Sequence, residues 1–323
     1  MPRPTANQVH VNRPLTDLSV AYAQARSEFV WNQAFPQVMV DNKSDDFYVY
    51  SKDDWFRDEA RERAPGTESS GSGFGLVTNT YSCKRFAHHK DVDDDTRDNA
   101  DAGIDLDRDA AGFVVDKLWL KQEKRWAANF FTTGIWGLDL TGVAAAPVGN
   151  QFVQWDQTGS DPVTDVDTFG IRMRRLTGQR PNLIVVGPEV FVALKNNAAV
   201  LDRIKYTERA IVTEDLLASM FGVKKFLVAF GSENTAAEGA AASFSFLFGK
   251  RLLLAYSAER PGLKTPSAGY TFTWKRQGGG ANGLRFKTFR MEQIESDRNE
   301  GDISTDPKLV AADLGIMFDA AVA

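Results

Sequence analysis

The stretch PNLIVVGPEVFVALKNNAAVLDRIKYTER, residues 181–209, has the pattern of an apolar strand, a Gly-Pro turn and a helix. The continuous apolar run from Asn182 to Val186 predicts a strand that is buried on both faces, and Pro188 occupies the favoured first position of a helix. Nucleotide-binding folds use similar units, yet this one has no glycine-rich phosphate loop and no group that could move a proton. The stretch therefore predicts a rigid scaffold element without chemistry of its own.

The elements around this unit do not alternate regularly. A helix is predicted at residues 163–178, with Asp165 or Asp167 as its cap, and another between Thr213 and Gly222. Apolar runs predict strands at residues 223–230, 243–257, 269–276 and 311–322. Because helices and strands follow no regular βαβ order, the sequence predicts an α+β fold.

Residues 106–132, LDRDAAGFVVDKLWLKQEKRWAANFFT, have the clearest helical pattern in the chain. Asp107 or Asp109 can cap the start of this helix, and charged residues occupy much of its remaining surface. The apolar stripe consists of Ala111, Val115, Leu118, Trp119, Trp126 and Phe130. These features predict one long amphipathic helix.

A charged hairpin is predicted ahead of this helix. Residues 45–53 and 74–86 have the pattern of two strands, and residues 54–73 between them are highly charged and then rich in Gly and Ser. A two-stranded hairpin is barely stable alone, and Trp55 and Phe56 stand among charged residues that cannot cover them. We therefore expect this loop to dock on another subunit.

The segment before the hairpin has a weaker helical pattern. Leu18, Tyr22, Ala25 and Phe29 recur at spacings of three and four, and Pro36 ends the pattern. A short helix is therefore predicted within residues 16–35. Its apolar surface is small, which indicates that this arm lies against something else.

Composition and charge exclude several classes of protein. The chain has 323 residues, a net charge of -5 and a pI near 5.4, which argues against a protein that grips nucleic acid through clustered basic residues. Cys83 is the only cysteine, so a disulfide scaffold is excluded. No signal peptide and no apolar run long enough to cross a bilayer is present, so we expect synthesis in a cytoplasm and no membrane contact.

No arrangement of residues predicts catalysis or a cofactor. The candidate metal ligands are Cys83, His88, His89 and Asp91. A zinc site needs about four well-placed ligands, and adjacent residues of a strand point to opposite faces. The acidic residues 91–102 lack the Gly and Glu positions of a calcium-binding loop, so a solvated connector is expected there. Walker and GxSxG motifs are absent, and we expect neither an enzyme nor a bound metal.

Several phrases, in their order along the chain, are similar to one protein family. TRDNADAGIDLDRDAAGFVVDKL, residues 96–118, resembles the connector that enters the family's spine helix, and RPNLIVVGPEVFVALKNN, residues 180–197, resembles a strand and helix of its axial domain. Residues 213–234 and 249–274 resemble the stretches that follow. From about Ala34 onward the chain resembles the major capsid protein of tailed bacteriophages, which has the Hong Kong 97-like fold.

The resemblance implies a division of the chain and a role. Its parts would be an N-terminal arm at residues 1–40, an extended β-hairpin loop and connector at 41–104, a peripheral domain with the spine helix at 105–181, an axial domain at 182–283, and strands returning to the peripheral domain at 284–323. Copies of the chain would form the pentamers and hexamers of an icosahedral phage head around double-stranded DNA, without sequence-specific DNA contacts. The protein would assemble in the host cytoplasm, belong to the virion, and meet scaffolding, portal and decoration proteins.

The extended loop would then carry contacts between subunits. The candidate contact residues are Trp55, Phe56, Arg57, Arg61, Glu62 and Arg63. Aromatic burial should carry most of this contact, because exposed ion pairs contribute little. Two further roles stay open, namely an encapsulin-like nanocompartment shell that encloses enzyme cargo, and a soluble hydrolase.

Overall fold

The computed structural model describes residues 24–50, 52–100, 105–205, 212–262, 265–275 and 281–323. The strands in these ranges are β1 (Gln37–Val40), β2 (Ser44–Tyr50), β3 (Leu76–Ser82), β4 (Lys84–Asp93), β5 (Leu138–Val143), β6 (Gln151–Val153), β7 (Leu183–Val186), β8 (Lys225–Val228), β9 (Ser232–Asn234), β10 (Phe244–Phe246), β11 (Leu252–Ala255), β12 (Gly269–Trp274), β13 (Leu284–Met291), β14 (Ser296–Leu309) and β15 (Gly315–Asp319). The helices are α1 (Lys52–Trp55), α2 (Asp94–Asp98), α3 (Leu106–Phe130), α4 (Pro162–Thr177), α5 (Pro188–Asn196), α6 (Ala198–Ile204) and α7 (Glu214–Met220). This mixed order confirms the predicted α+β class.

A six-stranded sheet has the order β6-β5-β15-β11-β7-β8. Its strands β7 and β11 are the apolar runs LIVV and LLLA, and they pair antiparallel with Leu254 opposite Ile184. Ile184 and Leu254 face the core formed with α4 to α7, whereas Leu183 and Leu253 face the core formed with α3. Both faces of the sheet are covered, which explains why these strands lack polar residues.

The strands of this sheet come from distant parts of the chain. β5 and β6 lie in the segment predicted for the peripheral domain, and β15 lies near the end of the chain between β5 and β11. The predicted boundaries after residues 181 and 283 therefore run between neighbouring strands of one sheet. The division of the chain into an arm, a loop and two domains stays a prediction.

The second large sheet packs against α3. β14 lies between β4 and β13 and, farther along, pairs with β12, which in turn pairs with β1. A Cβ added to Gly301 of β14 would stand 2.8 Å from Val114 Cγ1 and 2.9 Å from Leu118 Cδ1 of α3. Only a glycine allows the strand and the helix to approach this closely.

Helix α3 confirms the predicted long helix, but its cap differs from the prediction. The carboxylate of Asp105 accepts a hydrogen bond from the backbone N–H of Arg108 at 3.0 Å, so Asp105 is the cap and neither Asp107 nor Asp109 is. Asp107 instead pairs with the guanidinium of Arg97 at 3.1 Å. The helix therefore begins where the connector is held by an ion pair.

The buried stripe of α3 also differs from the predicted one. Its first members are Ala110 and Val114, whereas the predicted Ala111 and Val115 are only half-buried. Both positions of each pair are apolar, so the sequence pattern does not distinguish them. Val114 rather than Val115 is fully buried because Val114 packs against Gly301.

Helix α4 has a different cap from the two that were predicted. Asp161 accepts a hydrogen bond from the backbone N–H of Val163 at 3.1 Å, immediately before the helix begins at Pro162. Asp165 accepts instead from the indole N–H of Trp155 at 3.1 Å. The predictions of Asp165 and Asp167 are therefore wrong by one helical turn or more.

The arm before β1 does not form the predicted α-helix within residues 24–35. A short 3-10 helix occupies Arg26–Glu28, and residues 16–23 of the prediction lie outside the described ranges. Phe29 and Trp31 are buried, with their rings 6.2 and 5.3 Å from that of Trp119 in α3. These residues thus lie against another part of the same chain.

The acidic connector is partly solvated, as predicted, and partly held by ion pairs. Three of its described aspartates are exposed, whereas Asp94 pairs with Arg290 of β13 at 2.5 Å and Asp91 with Arg298 of β14 at 2.7 Å. These arginines hold the pKa of both carboxyls below the usual range, mainly through side-chain hydrogen bonds. The pairs join the connector to the edge of the sheet on which α3 packs.

Candidate assembly surface

The hairpin of β2 and β3 is attached to the rest of the chain at its root. Tyr81 stacks on Phe272 of β12, with the ring centroids 4.5 Å apart, and Phe47 lies 5.3 Å from the same ring. The backbone N–H of Ser82 donates to the carboxylate of Asp306 at 2.9 Å. Aromatic packing against a buried strand therefore fixes the direction in which the hairpin leaves the sheet.

The tip of this hairpin, residues 52–75, exposes most of its apolar surface. Trp55 is 57% and Phe56 is 63% exposed, and Trp55 contacts Phe74, with the ring centroids 5.9 Å apart. The backbone N–H of Gly75 donates to the carboxylate of Asp54 at 2.8 Å, which closes the loop. Large exposed aromatic rings on a loop that is held in shape are typical of a surface that binds another protein.

The four charged candidates follow these aromatics and are also exposed. Arg57, Arg61, Glu62 and Arg63 lie in a part of the loop without regular secondary structure. Arg57 pairs with Glu59 at 3.8 Å, and Arg63 donates to a backbone carbonyl within the same loop. The structure thus brings the six candidates together in one loop. Their role in contacts between subunits stays a prediction.

The tip also touches its own chain. Lys52 forms an ion pair with Asp313, next to β15. The ring of Phe56 lies against Gly178, where an added Cβ would stand 3.0 Å from the ring. These contacts leave more than half of each tip aromatic accessible, so a further surface can still bind there.

A second exposed apolar surface was missed by the sequence analysis. Ile171 and Leu176 project from α4, and Val192 projects from α5, each with more than half of its surface accessible. The signal was present, because the buried residues Val163, Val166, Gly170 and Met173 define one face of α4 and leave these two apolar residues off it. We refer to Ile171, Leu176 and Val192 together as the flank surface, a name for exposed side chains on two helices rather than for one continuous patch.

The four residues considered as metal ligands, and not expected to bind a metal, do not gather at one point. Cys83 is buried and its thiol donates to the carbonyl of Phe272 at 3.6 Å, whereas His88 and His89 are exposed on β4. Burial raises the pKa of the Cys83 thiol to about 11, so it stays protonated at neutral pH. Within the described ranges, no group of three or more His, Cys, Asp and Glu side chains is placed to bind a metal.

One buried carboxylate connects the arm to α3. Glu123 has no exposed surface and accepts hydrogen bonds from the backbone N–H groups of Val30 at 3.0 Å and Trp31 at 2.9 Å. Burial raises its pKa to about 7, against the lowering effect of these two donors. The sequence did not reveal this residue, because it lies among the charged residues assigned to the outer face.

None of the described helices combines the length and the apolar character that crossing a bilayer requires.

Comparison with known proteins identifies relatives over almost the whole chain. No family model matches the sequence. The major capsid protein of Burkholderia phage BcepMu is 25% identical in an alignment of 319 residues, and the match covers 95% of this chain and 95% of that protein. The similarity therefore covers most of the chain, including most of the residues of both large sheets.

Solved structures share the arrangement of these elements. A phage-related protein from Bordetella bronchiseptica RB50 matches with a TM-score of 0.69 at 21% identity, over 94% of this chain and 95% of that one. The capsid of cyanophage P-SCSP1u matches with a TM-score of 0.61 at 13% identity, over 93% and 90%. The SrpI encapsulin of Synechococcus elongatus PCC 7942 matches with a TM-score of 0.58 at 12% identity, over 95% and 93%. The protein therefore has the Hong Kong 97-like fold of phage capsid proteins, as its sequence predicted.

Proposed function

We propose that this chain is the major capsid protein of a tailed bacteriophage and that its copies assemble into a closed shell. The observation that carries the proposal is the similarity to a phage major capsid protein over 95% of both chains, on a fold that phage capsids share. The two sets of exposed apolar side chains support it, because a chain that works alone rarely exposes this much apolar surface. The role is structural.

The shell would be an icosahedral head of pentamers and hexamers. In this arrangement, residues 182–283 form the axial domain, and residues 105–181 and 284–323 form the peripheral domain. The flank surface on α4 and α5 contacts the neighbouring copy around a local symmetry axis. Identical head-to-tail contacts close into rings when the rotation between copies permits. Many modest contacts then add up through multivalency.

The extended loop, residues 41–104 with the connector, would lie on the neighbouring copy. Trp55 and Phe56 would bury their exposed rings there, while Arg57, Arg61, Glu62 and Arg63 would form the polar rim of the contact. Buried aromatics dominate such interfaces, and exposed charge pairs add little. The aromatic rings of the tip remain accessible to a neighbouring copy, because the contacts with Asp313 and Gly178 cover only part of the tip.

Packaged double-stranded DNA would fill the shell without sequence-specific contacts, consistent with the net charge of -5. The shell would form in the host cytoplasm and become part of the virion. Scaffolding, portal and decoration proteins are the further partners that this role implies. Neither an enzymatic activity nor a cofactor is part of the proposal.

The experiment that tests the role is assembly of the purified full-length chain. Negative-stain electron microscopy and sedimentation should show closed shells or rings of pentamers and hexamers. The matched control lacks residues 54–73, and we expect this chain to fold but to form no shells. A full-length chain that stays monomeric under every assembly condition, or shells that survive the deletion unchanged, would contradict the proposal.

An encapsulin-like nanocompartment is the second candidate function, and the structural match to the SrpI encapsulin favours it over a soluble hydrolase. The contents of native particles distinguish the phage head from the nanocompartment. Nuclease-protected DNA is expected for a phage head, whereas a co-purifying enzyme would assign the particle to the nanocompartment class. Activity screening of the purified chain tests the hydrolase.

A further inference from the structure

The small hairpin of β9 and β10 carries two exposed aromatic side chains. Phe244 is 75% and Phe246 is 49% exposed, and they lie two residues apart on one strand, so both project from the same face. The loop between the strands, residues 235–243, consists mainly of alanine and other small residues and includes the exposed Glu238. Such short side chains cannot cover the two rings.

The arm meets this hairpin at one residue. The side-chain amide of Gln24 donates to the backbone carbonyl of Ser232 at 2.7 Å and accepts from the backbone N–H of the same residue at 3.1 Å. Ser232 stands opposite Phe246 in the register of the two strands. The amide of Gln24 therefore binds β9 much as a neighbouring strand would.

The bonds within the hairpin show which edge Gln24 occupies. Leu247 donates to the carbonyl of Gly231, and Thr235 donates to the carbonyl of Ser243. Backbone groups alternate in direction along a strand, so those of Ser232 point away from β10. The chain that precedes Gln24 thus starts at the outer edge of the hairpin, one strand away from Phe246.

We propose that residues 1–23 of the chain dock on this hairpin and cover Phe244 and Phe246. These residues lie outside the described ranges, and their large apolar members nearest Gln24 are Leu15, Leu18, Val20 and Tyr22. Neighbouring strands are about 5 Å apart and an extended chain spans about 3.3 Å per residue, so the residues just before Gln24 can reach both rings. Covering them removes from water the most exposed phenylalanines of the hairpin.

Charge favours the same occupant. Residues 1–23 contain Arg3 and Arg13 with Asp17 as their one acidic residue. The hairpin has no basic residue and carries the exposed Glu238, whereas its Glu233 is already paired with Lys124. The segment is also tethered at Gln24, which gives it an effective concentration on the order of millimolar at the hairpin of its own chain. A segment from another copy lacks this advantage. The proposal concerns a contact within one chain and does not depend on shell formation.

Hydrogen exchange of the unassembled chain tests the contact from both sides. Removing residues 2–22 should speed amide exchange in residues 232–247 by about tenfold or more, and replacing both rings (Phe244→Ser with Phe246→Ser) should do the same for residues 12–23. Exchange in α3 should not change in either variant. The control is Val148→Ser, which alters an exposed apolar side chain in the loop between β5 and β6 and should leave both segments as they are. Unchanged exchange in both variants would overturn the proposal.

A crosslink identifies the chain that supplies the segment. Tyr22→Cys combined with Phe244→Cys is treated with a flexible bismaleimide, and Cys83 does not compete because it is buried and protonated. A link within one chain, mapped by mass spectrometry, supports the proposal. Covalent dimers would instead assign the occupant to a neighbouring copy, and the absence of any link would show that the segment does not dock there. Either of these two results overturns the proposal.

Discussion

Glu123 shows how a single residue can connect two parts of this fold. Its carboxylate is fully buried beside the backbone of residues 30 and 31, which stand 93 and 92 positions earlier in the chain. No cation of the described ranges neutralises it, and a Cβ added to Gly231 would come within 3.2 Å of its Cγ. The charged groups nearest along these elements, Lys124 with Glu233 and Arg26 with Asp116, pair with each other at the surface.

Stability should therefore depend on pH through Glu123. The folded chain keeps this carboxyl protonated up to a pKa of about 7, whereas in the unfolded chain it ionises near 4.5. The stabilisation that Glu123 contributes to the free energy of unfolding is therefore fully present below pH 4.5. It is lost as the pH rises to 7, and the loss amounts to roughly 3 kcal/mol. In urea unfolding of unassembled protein, Glu123→Gln should flatten this part of the pH profile. Glu62→Gln, in the exposed loop, is the control, and parallel profiles for Glu123→Gln and the parent would contradict the prediction.

Gly301 and Gly112 make a matched pair of glycines around α3. Gly301→Ala should lower the free energy of unfolding by about 1–3 kcal/mol, because the new methyl group would overlap Val114 and Leu118. Gly112→Ala should raise it by roughly 0.5–1 kcal/mol, because nothing lies within 4 Å and alanine restricts the unfolded chain. Denaturant titration of both variants measures the two effects. Equal shifts in one direction would mean that α3 does not approach β14 at Gly301.

At the scale of elements, α3 organises its surroundings. It packs on β4 and β14 along one side and receives Phe29 and Trp31 of the arm on another. Its first turn is held by the connector, through Asp107 with Arg97, and its last turn contacts the six-stranded sheet through Phe130 and Trp126. The loss of its cap should therefore weaken the packing of α3 on both large sheets.

The cap of α3 gives the prediction at this scale. Asp105→Ala should destabilise the unassembled chain by about 1 kcal/mol, because the N–H of Arg108 loses its acceptor. Asp109→Ala removes a carboxylate from the same turn without removing the cap, and a shift below about 0.5 kcal/mol is expected. Thermal or urea unfolding compares the two. If Asp109→Ala proved the more damaging variant, Asp105 would not be the functional cap.

At the scale of the whole molecule, the described chain has a packed interior but leaves several large apolar side chains exposed on its surface. Three clusters fill the interior, yet the hairpin tip, the flank surface and the β9–β10 hairpin all expose large apolar side chains. These surfaces lie on different elements. A subunit with several separate contact surfaces can join several neighbours at once, as a closed shell requires.

Assembly should depend on the aromatic tip more than on its charges. Trp55→Ser combined with Phe56→Ser should reduce shell formation by more than tenfold, since buried interface aromatics typically contribute about 2 kcal/mol or more. Folding of the single chain should be retained, because both rings are more than half exposed. Glu62→Ala combined with Arg63→Ala is the matched control in the same loop, and only a small effect is expected. Light scattering and electron microscopy measure the yield of shells, and a larger loss from the charge variant would contradict the proposed contact.

The sequence by itself determined the α+β class, the long helix, the buried strand at residues 183–186 and the exposed aromatic hairpin. Each of these follows from a local pattern, either a periodic apolar face or a continuous apolar run, and such patterns survive without knowledge of distant neighbours. The resemblance of whole phrases extended these elements to a capsid fold.

Only the tertiary structure decided which side chains complete those elements. The sequence offered several aspartates as caps for α3 and α4, and the backbone path into each helix selected Asp105 and Asp161. It placed Glu123 among surface charges, whereas the arm buries it from 93 residues away. The periodic pattern shows that a helix has an apolar face. It does not show where that face ends or which residues beside it are buried, because segments from distant parts of the chain decide their burial.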